Sequence, residues 1–356
     1  MSYFFELYPI WPIRKNEMKL LLIAFLPVIC LATGSFAQPA QKVQFRNDPG
    51  NRKVEVHIGG KFFTAFIYPT TMEKQVLYPI LTASGKTITR GYPMEPRAFE
   101  RTDHPHHVGL WFNFGDVNGL DFWNNSFAIK PEEKHKYGSV RFSKILSHNP
   151  RRGELVASSD WVDHTGKVLM TEVATYTFSG NEKTRSIKRE TKLTAVQQVT
   201  FKENKEGLLG LRLDRAFEEP ATKPEKFLDA NGIETLVPIM NNEGVNGVYR
   251  NAAGIKGGEV WGKRSPWVAL RANKADEIVT IVILDHPQNP NYPAWSHARG
   301  YGLFASNNLG GRVFDPQASE VNIKLQPGQS LIFKHLVVIG GDLSDDQINK
   351  LAQSFK

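Results

Sequence analysis

The stretch KVEVHIGGKFFTAFIYP, residues 53–69, alternates Val54, Val56 and Ile58, turns at Gly59-Gly60, and resumes with Phe62, Thr64 and Phe66. A period of two places alternate side chains on one face of an extended chain, and paired glycines accept the positive φ of a tight turn. The segment therefore reads as a β-hairpin. The same signature recurs in residues 139–148, 153–162, 167–178, 184–196, 197–204, 207–214, 277–286, 301–307, 320–326 and 329–340, separated mostly by Gly, Pro, Asn and Asp. One segment differs: in LSDDQINKLAQSFK, residues 343–356, Ser344 and Gln347 are spaced as a capping box, and Ile348, Leu351 and Phe355 repeat at helical spacing. More than ten strands and one helix predict an all-β fold, a large antiparallel β-sandwich with a short C-terminal helix on the outside of one sheet. Residues 217–258, rich in Asn, Gly and Pro, read as an excursion over a sheet edge, so residues 38–356 are expected to form a single sandwich domain.

Residues 1–37 stand apart from that pattern. From Met18, Lys19 precedes an apolar run from Leu20 to Ala32, followed by small residues at Ser35 and Ala37. This is the anatomy of an export signal cut after Ala37, with residues 1–17 as an upstream extension, and it predicts a periplasmic or secreted protein. Cys30, the chain's one cysteine, falls inside the signal. The mature chain then has no thiol for catalysis, disulfides or metal ligation, and any metal needs His, carboxylate or amide ligands. The net charge of +8 is spread without a basic block, which argues against nucleic-acid binding. Beyond the signal no apolar run reaches the roughly 18 residues of a membrane span. Nucleophile elbow, phosphate loop, dinucleotide fingerprint and HExxH zinc helix are all missing from the sequence.

Four stretches carry more polar and aromatic groups than a sandwich core requires. The first, residues 103–126, holds His104, His106 and His107 together with Trp111, Asp116, Asn118, Asp121 and Trp123. The second has Lys205 and Glu206 just before a strand carrying Arg212. The third contributes Trp261, Lys263, Arg264 and Trp267, and the fourth Asp285, His286, Asn289, His297, Arg299 and Tyr301. Carboxylates and amides that bind hydroxyls, beside aromatic rings that cover apolar ring faces, are what a carbohydrate site uses. Three readings of the histidines stay open. His104 and His106, two apart, share a side and with His286 or His297 and an acid could ligate a divalent metal; the cluster could do metal-free acid/base work, for which imidazole suits neutral pH, or contact substrate; or Asp103-His104-Pro105 is a structural turn.

The phrases LYPILTASGKTITRGYPM, DHPHHVGLWFNFGDVNGLDFWN, KEGLLGLRL, VWGKRSPWV, DHPQNPNYPAWSHARGYGLFASNNLG and LQPGQSLIFKHLVVIGG, taken in order, resemble the bacterial "methane oxygenase PmoA"-like family from about Lys61 to Gly341. Gly300 stands where that family usually has Asp, and Val108 where a basic residue often follows the histidines. The oxygenase in the family's label is a bundle of transmembrane helices, so the resemblance does not imply methane oxidation here. The closing phrase is also similar to the last strands of galactose-mutarotase-like supersandwiches, a likeness of fold alone.

Together these features predict an exported carbohydrate-active enzyme. It would hydrolyse, eliminate or epimerise a sugar, glycoside or oligosaccharide by acid/base chemistry at His106, His107, Glu206, Asp285, His297 and Arg299. The alternatives are a non-catalytic glycan-binding protein and a His/carboxylate metal-dependent oxidase or oxygenase. No cofactor is required beyond the metal of that last reading.

Overall fold

The computed structural model describes residues 40–356, so the expected export signal and upstream extension lie outside the described residues. The hairpin expected from residues 53–69 forms as Lys53–Ile58 and Lys61–Ile67, with Gly59 and Gly60 at φ +61° and +79°. Its register shifts after Val56. This breaks the strict alternation expected of the second strand: Phe63 and Phe66 enter the core, while Phe62 packs edge-on against His57 at 5.6 Å.

Two antiparallel eight-stranded sheets build the fold. The first runs, edge to edge, through Val43–Asp48, Lys53–Ile58, Lys61–Ile67, Val76–Ile80, Leu110–Phe114, Gly207–Arg212, Leu303–Asn307 and Trp295–Arg299. The second runs through Val248–Asn251, Trp267–Lys274, Glu277–Asp285, Ser330–Gly340, Arg185–Ala195, Val168–Gly180, Glu154–Val162 and Ser139–Asn149. Rings from the two sheets meet in one apolar core: Phe66 lies 5.7 Å from Tyr176, and Phe112 lies 5.6 Å from Phe333. The fold is thus the all-β sandwich that the period of two implies. Residues 217–258 are more structured than an irregular excursion, since they contain a small hairpin, Glu225–Leu228 with Glu234–Val237, and the edge strand Val248–Asn251.

The C-terminal helix, Asp345–Ser354, begins with the expected capping box between Ser344 and Gln347. It buries Ile348 and Phe355 against Trp267, Val282 and Leu284, on the face of the second sheet turned away from the main core. No helix among the described residues is long and apolar enough to cross a membrane.

The first sheet also has a second apolar layer on its outer face, formed by Val76, Tyr78, Val108, Trp111, Trp123, Leu303 and Ala305. Register explains how distant segments share it. Trp111 pairs with Gly210, Gly210 with Ala305, and Ala305 with His297, so one row across four strands collects residues from three of the four polar stretches.

Candidate functional site

The histidine-rich segment is a turn held from beneath. The backbone N–H of His107 donates to the carbonyl of His104 at 2.9 Å, and His104 sits at φ +46°, in the left-handed region that costs a non-glycine residue energy. Buried Arg90 holds the turn by donating to the backbone carbonyls of Asp103, His104 and His107 and, at 2.6 Å, to Asp103 Oδ1. Arg212, on the adjacent strand and fully buried, donates to the same Oδ1 at 2.5 Å and to His107 Nδ1 at 3.1 Å. Burial would raise the Asp103 pKa, but the Arg212 charge, the hydrogen bond with His104 and the Arg90 charge outweigh it and hold the carboxyl well below the usual range. Because a guanidinium only donates, His107 Nδ1 accepts, and the ring proton sits on Nε2. Arg212 therefore positions the site from below and is closed to substrate.

Above these charges the rings form a ladder. Tyr301 stacks on His104 at 4.9 Å, His104 on His107 at 4.8 Å, and His107 on Trp111 at 5.3 Å. Trp123 continues the layer, 5.0 Å from Trp111 and 6.4 Å from His297. Gly210 makes room for it, since a Cβ there would meet Trp111 Cζ2 at 2.5 Å. Both tryptophans are fully buried, so neither is the open stacking face expected of a sugar platform; they form the floor. On this floor the Nε2 atoms of His106 and His107 and both indole nitrogens are buried without a hydrogen-bond partner among the described residues.

A cavity of about 220 Å³ opens beside the ladder, lined by residues 71–74, 93–94, 105–106, 108 and 125–127. It contains a residue that the sequence reading did not single out, Lys74. Its Nζ donates to the His106 carbonyl at 2.6 Å and lies 5.1 Å from the centre of the Trp111 ring, and the side chain is almost wholly buried. Burial pushes its pKa down to about 7, against a partial offset from Asp121 and Glu73. Burial, and then the Lys74 charge, push His106 down to about 2, and burial leaves His107 well below the usual histidine value, so both rings are neutral at pH 7. Glu73 faces the other way and is held by Ser139 Oγ at 2.6 Å, Arg141 at 2.7 Å and Lys134 at 3.0 Å. In the sequence Lys74 sits in MEKQ and resembles any solvated loop lysine; nothing local signals its burial.

Past Trp123 a second group of ionisable residues assembles. His297 Nδ1 lies 3.8 Å from Glu206 Oε2, and Lys205 bonds the other oxygen of that carboxylate. Burial lowers His297 to about 4 despite Glu206, so at neutral pH its ring is uncharged and the contact is not an ion pair. Asp121, bonded to Asn124, is raised by burial and also by the charge of Glu206. Arg299 lies over the Trp261 ring at 5.2 Å, and Trp261 and His297 both pack on Phe314. The outer face of the first sheet thus gathers His104, His106, His107, Trp111, Asp121, Trp123, Lys205, Glu206, Arg212, Trp261, His297, Arg299 and Tyr301.

Other expected site residues lie elsewhere, for identifiable reasons. Asp285 ends a strand of the second sheet, where Asn289, two bonds from Asn308 and the Ala294 N–H saturate its carboxylate. It is a buried latch, raised to about 6 mainly by burial. Asn289 completes the latch by bonding Lys334 on both sides of its amide. His286 stands edge-on to Phe355 of the terminal helix, and Trp267 donates to Asn349 of that helix at 2.8 Å, so both are packing residues of the other sheet. Arg264 clips the carbonyls of Asn291 and Pro293 and lies over Trp295. Lys263 is exposed and holds Val260 and Ser296 through its backbone. Asp116 accepts from the Gly119 N–H, and Asn118 pins that turn to Thr200 and Gln198. The metal set of His104, His106 and His286 does not form, because His286 is on the other sheet; among the described residues no three His, Cys, Asp or Glu side chains converge as ligands.

The family model described as "Family of unknown function (DUF6807)" matches residues 53–353, and this match replaces the PmoA-like assignment drawn from the motifs. No curated protein matches the chain. Among solved structures, the Slr1438 protein of Synechocystis is 11% identical, with 86% of this chain and 99% of that one covered and a TM-score of 0.38. A galactose mutarotase-like protein of Clostridium acetobutylicum is 9% identical over 85% and 99% of the two chains, with a TM-score of 0.31. The α-galactosidase of Lactobacillus brevis is 8% identical over 84% of this chain, which spans 39% of that enzyme, with a TM-score of 0.36. These are likenesses of fold.

Proposed function

Since the chain belongs to DUF6807, a family of unknown function, we propose its activity from the site itself: an exported enzyme that moves protons on a sugar or glycoside bound in the Lys74–His106 cavity. The observation that carries this reading is Lys74, a buried amine with one hydrogen bond, to the His106 carbonyl, lining the same cavity as the neutral His106 imidazole. With its pKa near 7, about half of it is free amine at neutral pH and able to take a proton, which an exposed lysine is not. The neutral His106 and His107 rings cannot serve as strong acids, but an imidazole N–H in a dry pocket can polarise a carbonyl or ring oxygen. Met72, Pro93, Met94, Pro105, Val108 and Phe127 offer apolar walls for the C–H face of a sugar ring, and Asn125 and Ser126 offer hydrogen bonds to its hydroxyls.

The cavity volume, below the roughly 300–1,000 Å³ of a drug-sized site, suits one sugar ring or the end of a chain. Epimerisation or isomerisation fits better than hydrolysis. Glycosidases usually flank one bond with two carboxylates, whereas the one carboxylate lining this cavity, Glu73, is committed to Ser139, Lys134 and Arg141.

The test is incubation with a panel of aldoses, uronic acids and glycosides in deuterated water, followed by NMR for epimer formation and for deuterium at the exchanged carbon. Lys74→Met and His106→Asn should lower the rate by about 10²–10⁴-fold, with no fall in melting temperature for the lysine variant. Calorimetric binding of a glycan without exchange or product would instead make the chain a glycan-binding protein.

A further inference from the structure

We infer that Lys74 is a covalent nucleophile: its Nζ condenses with the aldehyde or ketone carbon of an open-chain sugar lodged between the amine and the His106 ring. This rests on the cavity being the reaction site proposed above, and it names the substrate class and first step there.

The argument begins with how this amine is held. Exposed lysines of the chain, such as Lys205 and Lys226, rest against carboxylates. Lys74 has no such partner among the described residues; its single hydrogen bond goes to a backbone carbonyl, and the neighbouring Glu73 is turned toward Ser139, Lys134 and Arg141. The Trp111 ring covers one side of the amine, and Met72, Met94 and Val108 wall the cavity it lines. Desolvation without a counter-ion is the arrangement that frees a lysine lone pair for attack on carbon. The depression of its pKa to about 7 agrees with that geometry.

In the step itself, the nitrogen lone pair forms an N–C bond to the carbonyl carbon while the C=O π pair moves to oxygen. The proton lost from nitrogen ends on that oxygen, giving a carbinolamine. The hydroxyl then takes a second proton, supplied by solvent, and leaves as water as the N=C bond forms, so amine plus carbonyl plus one proton gives protonated imine plus water with no change of oxidation state. The positive nitrogen weakens the adjacent C–H bond, which is the proton an epimerase or isomerase must move. His106, whose buried Nε2 has no partner among the described residues, lines the same cavity as the amine.

The experiment uses the full chain with glyceraldehyde and, separately, glucose, each in the presence of cyanoborohydride, which fixes an imine as a stable secondary amine, followed by peptide mass mapping. The expected result is labelling of Lys74 at pH 7 at least about tenfold faster than of any exposed lysine such as Lys205, as its larger free-amine fraction requires. The label should disappear from that peptide in Lys74→Met. Labelling of Lys74 no faster than of Lys205 overturns the inference without depending on how the variant folds. If deuterium exchange on sugars depends on Lys74 while trapping fails, the amine acts only as a base, and this inference falls while the proposed function stands. Selective trapping without turnover on any sugar upholds the imine site and removes the proposed function.

Discussion

Replacing Lys74 by Met should stabilise the protein, and the gain should depend on pH in a direction set by the burial of the amine. An unfolded lysine titrates near ~10.4, whereas folded Lys74 titrates near about 7. Between those values the unfolded chain binds one more proton than the folded chain, so wild-type stability rises with pH by ~1.4 kcal/mol per unit. Below the folded pKa the whole penalty of burying the charge is present, about 4–5 kcal/mol, and it is relieved as pH climbs toward ~10.4. Methionine has a similar length and no charge; it forfeits the bond to the His106 carbonyl, worth about 1 kcal/mol. The variant should therefore exceed wild type by about 3–4 kcal/mol at pH 6 and by about 1 kcal/mol at pH 9. Urea unfolding at the two pH values, with unchanged denaturant slope, reads the difference directly. His106 stays neutral throughout that range, so it does not confuse the comparison. A gap that is the same at pH 6 and pH 9, or a variant less stable at pH 6, would show that Lys74 is solvated and would remove the basis for its reactivity.

Three further outcomes follow from the same geometry. Asp103→Asn leaves the buried guanidiniums of Arg90 and Arg212 without their shared anion and should cost about 3–5 kcal/mol. Because the folded carboxyl is depressed, that cost should be constant above about pH 5 and shrink as pH falls below ~4, where the unfolded Asp takes up its proton. Gly210→Ala drives a methyl into Trp111 and Trp123; a loss of about 1–3 kcal/mol with altered tryptophan fluorescence is expected, and a silent substitution would mean that the indoles do not lie on that strand. Asp285→Asn should weaken the fold while leaving turnover per folded molecule unchanged, and lost turnover in a fully folded sample would return Asp285 to the site.

Much of the architecture is legible in the chain itself. The alternation of Val54, Val56 and Ile58, the Gly59-Gly60 turn and the Ser344–Gln347 capping box are local signals, and local signals survive folding because they depend on backbone geometry within a few residues. Where a long-range fit intervened, the local pattern failed. The bulge after Val56 turned the next strand so that Phe63 and Phe66, not Phe62, fill the core. The short hairpin Glu225–Leu228 with Glu234–Val237 was hidden in what reads as loop.

The site divides along the same line. Residue types in the sequence determined what chemistry was available: a cysteine-free chain beyond residue 37, clustered histidines, carboxylates and tryptophans. They could not determine which of them meet. Asp285 and His297 lie twelve positions apart, yet one is a saturated latch on the second sheet and the other stands beside Trp123 and Glu206 on the first. Strand register made that choice, because pairing between segments remote in sequence decides which residues share a row. Tertiary packing decided the state of the charges as well. Arg212 became a buried support and Lys74 a buried amine with its pKa lowered to about 7, because a side chain's proton affinity follows from the water it loses and the charges it gains, and both are properties of the assembled fold.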